Sequence, residues 1–438
     1  MNTTSKCQTP KSQPGRSRTT NDETRKSEIP NPNDLRISSF GFRIFFELRV
    51  SAFVISCLWC LELAQAAQLK FKPVEIDSKI EIGYGIAAAD VNGDKKTDLV
   101  LADKNQIVWY ENPSWKKHVI AEKLTPRDHV CLAAADIDGD GKAEIAAGAE
   151  WNPGDTVNSG AVFYLIPPAD RTQKWEPVKL HHEPTVHRMR WVRNAEGKFD
   201  LVVVPLHGRG NNPKAEGAGV KILAYKVPSD PTQPWKTESL DESLHKTHNF
   251  DPVQLDRDAA EEMFVVGKEG LFLLDATDRK VTLLGTNSIG GAGEVRAGRV
   301  AGKVFFVTTV EPMHGNTLAL YTAPSAIEHA DATWHRLVLD ESLIDGHALA
   351  CGDLIGQGRD QIVVGWRAMN RPGAKVGVKV FISTDKEGRK WTATTVDDGG
   401  MACEDLVLAD LNGDAKLDIA AAGRATKNVK IYFNESQH

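Results

Sequence analysis

The sequence predicts an all-β chain folded as a seven-bladed β-propeller, with an N-terminal strand completing the last blade and closing the ring. Three observations predict it. An acidic turn is written three times, as Asp90-Val-Asn92-Gly-Asp94-Lys-Lys-Thr-Asp98, Asp136-Ile-Asp138-Gly-Asp140-Gly-Lys-Ala-Glu144 and Asp410-Leu-Asn412-Gly-Asp414-Ala-Lys-Leu-Asp418, each between two short apolar runs. A tryptophan also recurs: Trp115, Trp175, Trp235, Trp334 and Trp391 each open a run with an aliphatic residue five positions on (Ile120, Leu180, Leu240, Leu339, Val396). Their spacings are 60, 60, 99 and 57, and the gap of 99 leaves room for one unit without its tryptophan, centred on residues 250–284. Finally, the last unit stops after its third strand near Phe433, while Phe71 and Ile76 repeat the aromatic-plus-five spacing of a fourth strand. Repeats of roughly 45–60 residues built of several short strands are the pattern of propeller blades.

Each unit reads as four strands. The first is small and apolar, as in residues 85–91. The second is β-branched, as in 201–204 or 362–365. The third covers 106–111, 161–166, 220–225, 376–382 or 429–433, and the fourth is the tryptophan strand. First strands then fall near residues 86, 131, 188, 250, 295, 348 and 404, which gives seven blades over a single domain of residues 68–438. Closure by the N-terminal strand removes the free edges that an open array exposes.

Composition narrows the function classes. The net charge is −6; residues 1–66 hold nine Lys/Arg against six Asp/Glu, a surplus of +3, which leaves −9 on the remainder. That acidity argues against a nucleic-acid partner. Residues 1–39 are polar and read as a disordered or overcalled extension. Arg43 and Arg49 then precede an apolar run over 50–63 and Ala64-Gln65-Ala66, so residues 40–66 read as a signal peptide cleaved near Ala66. The expected protein is secreted or periplasmic, with no membrane span in the mature chain. Only Cys131, Cys351 and Cys403 remain after cleavage, and their apolar surroundings predict buried thiols rather than disulfides.

In the three acidic turns, oxygen side chains fall at positions 1, 3, 5 and 9 with glycine at position 4. This arrangement folds hard ligands around one cation and suits Ca²⁺. The expected structural calcium ligands are Asp90, Asn92, Asp94 and Asp98; Asp136, Asp138, Asp140 and Glu144; and Asp410, Asn412, Asp414 and Asp418. These Ala-Ala-Asp and Asp/Asn-Gly-Asp units resemble the FG-GAP/VCBS repeats of secreted β-propellers, most closely in blades 1, 2 and 7. The corresponding turns of blades 4 (Asp256, Asp258) and 6 (Asp353 to Asp360) have lost parts of the pattern, and no calcium is assigned to them.

The opposite face gathers the starts of the first strands, where His129, His187, His248 and His347 lie. Loops on that face add Glu150, Trp151, His207, Lys268, Glu311, His314, Trp366, Arg367 and Arg424. First strands line a propeller's channel, so imidazoles from different blades are expected to converge at its mouth. There they would hold Zn²⁺ or another divalent metal, or supply a general base. His187, His248 and His347 are the first candidates, with His129 and His207 secondary. Arg367 is a candidate for stabilising an enolate oxygen, and Trp151, Trp366, Arg188 and Arg424 for binding substrate.

Two segments, His187-Arg-Met-Arg-Trp191 and Leu201-Val-Val-Val-Pro-Leu-His207-Gly-Arg-Gly210, are similar to the propeller part of the aldos-2-ulose dehydratase family. That resemblance implies a site directed at an oxidised sugar and a carbon–oxygen lyase reaction. The residues themselves leave a second reading open, a non-catalytic propeller that binds a glycan or a protein.

Overall fold

The computed structural model describes residues 69–275, 277–285, 290–323, 334–369 and 371–437. The expected N-terminal extension and signal peptide lie outside the described residues. Seven four-stranded antiparallel sheets follow one another along the chain. The first six blades begin with the inner strands Gly85–Ala89, Cys131–Ala135, Val186–Arg193, Thr247–Val253, Glu294–Val300 and Gly346–Gly352. Blade 7 takes three strands from the C-terminal region and its fourth, Phe71–Asp77, from the N-terminal side. That strand pairs antiparallel with Asn428–Asn434, Phe71 opposite Asn434 and Val74 opposite Ile431. The ring is thus closed by the strand that the Phe71/Ile76 spacing marks. No helix occurs among the described residues, so none is long and apolar enough to cross a membrane.

The core is distributed around the ring. Seven buried apolar clusters lie between successive blades, one at each interface. The tryptophans explain their own recurrence: Trp175, Trp235 and Trp334 sit in these clusters at 3%, 8% and 5% exposure. Trp175 Nε1–H donates to Arg171 O and Trp235 Nε1–H to Pro231 O, so each indole is buried with its polar edge satisfied. Cys131 and Cys403 are buried free thiols and Cys351 is half-buried.

The three acidic turns share one hydrogen-bond pattern. The first-position carboxylate accepts the N–H of positions 4 and 6: Asp90 from Gly93 and Lys95, Asp136 from Gly139 and Gly141, and Asp410 from Gly413 and Ala415. The ninth-position carboxylate reaches back to the N–H of position 2, as Asp98 does to Val91, Glu144 to Ile137 and Asp418 to Leu411. Burial pushes Asp98 up to about 6 and Glu144 up to about 7, and raises Asp418. A desolvated carboxylate beside two further acids is a fitting place for a cation; ligand oxygens of Asp136, Asp138 and Glu144 lie within 4.8 Å of one another. Blade 4, without the glycine turn, also brings Asp256, Asp258 and Glu262 that close.

Candidate active site

The decisive local feature is a slip in strand register. Where the inner strand of blade 3 pairs with its neighbour, the register jumps between Val186 and Arg188. The same jump occurs between Thr247 and Asn249, between Gly346 and Ala348, and between Cys403 and Asp405. The residues left unpaired are His187, His248, His347 and Glu404. A β-bulge turns its extra side chain out of the ordinary pleat, and four blades use it at the same level of the channel. Blades 1 and 2 run in unbroken register there.

Each bulged histidine then leans on the next blade. His187 Nδ1–H donates to His248 O at 2.8 Å, His248 Nδ1–H to Gly293 O at 2.6 Å, and His347 Nδ1–H to Glu404 O at 2.6 Å. With the proton on Nδ1, each Nε2 presents a lone pair, the orienting arrangement that metal-binding imidazoles use. The rings converge. His187 and His248 have centroids 4.5 Å apart, and those of His248 and His347 are 5.5 Å apart. His314, from the loop between the second and third strands of blade 5, completes the group. Its centroid is 4.6 Å from His248 and 4.9 Å from His347, and its Nε2 lies 2.6 Å from His248 Nε2. One nitrogen each from His248, His314 and His347 falls within 4.8 Å of the others, a three-imidazole set of the kind that holds Zn²⁺ with an open position.

Electrostatics keep these rings neutral. Burial lowers His187, His248 and His347 well below the usual histidine value, helped by Arg188 for the first two and by Arg367 for the third. His314, open to solvent at the mouth, is lowered by desolvation of its inner side and by His248. Neutral imidazole is the metal-binding form.

His187 stands apart from the triplet. Its ring stacks on Trp151 at 5.0 Å, and Arg188 Nη1–H donates to its Nε2 at 3.2 Å. The Arg188 guanidinium lies 3.8 Å from Glu294 Oε1, and Glu294 Oε2 accepts from Asn249 Nδ2 at 2.5 Å. Arg188 and Trp151 therefore reach the site, and Arg424 touches its edge through Glu404 at 2.8 Å and the face of Tyr84 at 5.2 Å.

Other sequence candidates lie elsewhere, for identifiable reasons. His129 precedes an unbulged strand, is fully buried, and accepts the Leu124 N–H on Nε2 at 3.2 Å, so it braces a turn instead of joining the cluster. His207 is bound through its backbone to Thr185 and Lys246; burial lowers it to about 4, and it makes no contact with the other imidazoles. Trp366 is 8% exposed in the core between blades 5 and 6, with Nε1–H given to Lys375 O, which leaves no face for a ligand. Arg367 is near the cluster, but its guanidinium is occupied. Nη1 meets both oxygens of Glu404 at 2.8 Å and Nε meets Asp345 at 2.9 Å. Burial opposes its charge, and the two carboxylates outweigh burial, so its pKa rises. Glu311 is likewise taken by Arg336 and Tyr321.

Sequence reading missed the weight of His314, Glu294 and Glu404. His314 is a loop residue with no repeat partner. Glu404 occupies, in blade 7, the strand position that histidine holds in blades 3, 4 and 6, so its alignment against those blades was the available signal.

Comparison with known proteins finds the same repeats and a related propeller domain. FG-GAP-like repeat models match residues 90–147 and 132–165, and the model of the aldos-2-ulose dehydratase β-propeller domain matches residues 159–324. That last span includes His187, His248 and His314. Aldos-2-ulose dehydratase from Phanerodontia chrysosporium is 24% identical over 347 residues, covering 72% of this chain and 37% of that protein. The chain thus aligns with little more than a third of that relative's length. Among solved structures, a chain of a mitotic checkpoint complex superposes with a TM-score of 0.53 at 12% identity, over 84% of this chain and 93% of that one, a likeness of fold alone. By sequence and by architecture, the chain is a seven-bladed β-propeller that carries FG-GAP repeats and, over residues 159–324, matches the propeller domain of aldos-2-ulose dehydratase.

Proposed function

We propose that this protein is a metal-dependent carbon–oxygen lyase that dehydrates an oxidised sugar at the channel mouth. The observation that carries the proposal is the convergence of His248, His314 and His347, two of them fixed by Nδ1–H donation to backbone. The distant relation to aldos-2-ulose dehydratase supplies the substrate class, a sugar carrying a carbonyl beside a hydroxylated carbon. A divalent cation on the triplet would polarise that carbonyl.

The chain's own residues account for the remaining steps. In the present arrangement His314 Nε2–H donates to His248 Nε2, and the other His314 tautomer, with its proton on Nδ1, would free both Nε2 atoms for a cation. His187, outside the triplet, would be the base for the proton α to the carbonyl once Arg188 turns from its Nε2 toward the substrate. The C–H electron pair becomes a C=C bond to the next carbon. The hydroxyl on that carbon departs as hydroxide and gains a proton, giving water and an enone. Arg188, beside His187, would offer its guanidinium to charge developing on the substrate oxygen. Trp151 offers its ring beside His187 to a sugar face. Calcium in the turns of blades 1, 2 and 7 and export from the cell belong to the same reading; the ions would stiffen turns on the face opposite the chemistry.

Elemental analysis of purified protein, followed by incubation with 1,5-anhydrofructose under ultraviolet detection, tests the proposal. The expected result is a transition-metal ion beyond calcium and a rising enone absorbance, both lost in His248→Ala/His347→Ala protein with unchanged far-ultraviolet dichroism. No transition metal after reconstitution and no enone across a panel of 2-keto sugars would overturn it; glycan binding by that inactive protein would install the binding reading in its place.

A further inference from the structure

Between the inner strands of blades 1, 2 and 3 lies a cavity of about 200 Å³ whose walls include Arg188, Arg190, Asn249 and Asp405. The inner strand of blade 3 carries Arg188 and Arg190 two positions apart, so both face the channel at successive levels. Arg296 enters from the inner strand of blade 5 and is near enough to Arg190 to act on its charge.

These guanidiniums are only partly used. Arg190 donates Nε–H to Phe250 O at 3.1 Å and Nη2–H to Asn249 Oδ1 at 3.3 Å. Arg296 donates to Val295 O at 2.5 Å. A guanidinium has five N–H donors, so most of those on both residues remain for the channel. Among the described residues, neither forms an ion pair with a carboxylate; Arg188 has one, at 3.8 Å. Asp251 and Asp405 also face the channel, but backbone groups engage them. Asp251 Oδ2 accepts the Ala297 N–H at 2.8 Å, while Asp405 accepts Ile86 and Leu406 N–H, each at 3.0 Å. They stitch adjacent strands together and balance charge without filling the guanidinium donors. Burial, with Arg296 alongside, depresses Arg190 to about 10, the response of like charges crowded into a desolvated hub.

We propose that this cavity is a carboxylate subsite lined by Arg188 and Arg190, with Arg296 adding positive charge from blade 5, and that the molecules the channel takes are acidic sugars of the hexuronate class. A planar guanidinium fork matches a carboxylate in shape and charge, and partial burial strengthens the pair. From His187 to Arg190 is three residues along a strand, roughly 10 Å, comparable to the length of an open-chain six-carbon sugar acid. Its carboxylate would sit among the arginines and its carbonyl end among the imidazoles. The assignment of the reacting end rests on the lyase reading; the carboxylate subsite does not.

Calorimetric titration of the full chain with D-glucuronate and with D-glucose tests it. Glucuronate is expected to bind at least tenfold more tightly than glucose, and the advantage is expected to shrink as NaCl rises. Arg190→Gln and Arg296→Gln should each lose most of the preference, and Arg389→Gln, on the exposed rim, should keep it. Equal affinity for the two sugars in wild-type protein overturns the subsite, as does a preference unchanged in both arginine variants. Should the variants unfold, the wild-type ratio and its salt dependence decide alone. A glucuronate preference that persists without any elimination activity sinks the lyase reading only, and elimination without that preference sinks the subsite only.

Discussion

Acidification should unfold this propeller through its hub histidines, and the size of the effect follows from their burial. His187, His248 and His347 are 5%, 1% and 4% exposed, and burial with a neighbouring arginine holds each well below 6.5. In the unfolded chain each takes a proton near pH 6.5; in the fold each stays neutral. The unfolded state therefore binds more protons below that pH, so their contribution is complete above about pH 7.5 and is lost as pH falls below 6.5. At pH 5.5 one such group has cost about 1.4 kcal/mol, and the three together about 4 kcal/mol. Carboxylates titrate as well, so a variant isolates the term. In His347→Asn the amide takes the place of Nδ1–H toward Glu404 O, and the titration is gone. Urea unfolding of metal-free protein at pH 7.5 and 5.5 should show the variant losing about 1.4 kcal/mol less than wild type between the two pH values. Equal losses would refute the claim that His347 is held neutral in the fold.

Two further outcomes follow from particular contacts. Because the acidic turns are already pinned by side-chain acceptance of backbone N–H, chelating calcium should soften them without dismantling the sheets. Each occupied site is worth about 2.7 kcal/mol when calcium is a hundredfold above its dissociation constant. Scanning calorimetry should therefore show the melting temperature rising on calcium addition to chelated protein, and no rise would remove the ions from the account. Arg367→Met should cost about 3–5 kcal/mol by leaving Glu404, 1% exposed, without its main partner, and adding Glu404→Gln should restore part of that loss in a urea titration; an unaltered midpoint in the single variant would show the pair to be dispensable.

The blade count was legible because it rests on local pattern. A tryptophan that caps a fourth strand must recur with the blade, and Phe71 with Ile76 mark a strand that needs a partner elsewhere. The face carrying the histidines was legible for the same reason, since first-strand starts and second-to-third loops alternate in sequence. Which histidines point inward was not legible. That depends on a bulge, and a bulge is a relation between two strands: Val186 pairs with Pro205 while Arg188 pairs with Val204, and His187 falls between. His129 has nearly the same sequence offset, yet Cys131 to Ala135 run in even register with Gly148 to Glu144 and no side chain is turned out. The fate of Arg367 was hidden likewise, because Glu404, 37 residues away, becomes its neighbour only when blade 7 docks on blade 6.

The distribution of these features around the ring has a physical logic. Blades 1 and 2 keep intact acidic turns and inner strands of small residues in even register, Gly85–Ala89 and Cys131–Ala135. The imidazoles come from blades 3, 4, 5 and 6, where the acidic turn is degenerate. Blade 7 lies between the two types, with an intact turn on one face and the bulged Glu404 on the other. Bulged inner strands that bury imidazole, guanidinium and carboxylate at the hub are costly to hold, because each buried polar group must be satisfied across a blade boundary. Here the satisfying contacts are inter-blade: His187 to His248, His248 to Gly293, His347 to Glu404, and Asp251 to Ala297. A closed ring supplies such partners on both sides of every blade. It follows that the site and the closure are coupled, and that weakening the Phe71–Asp77 strand should loosen the histidine cluster even though no residue of that strand touches it.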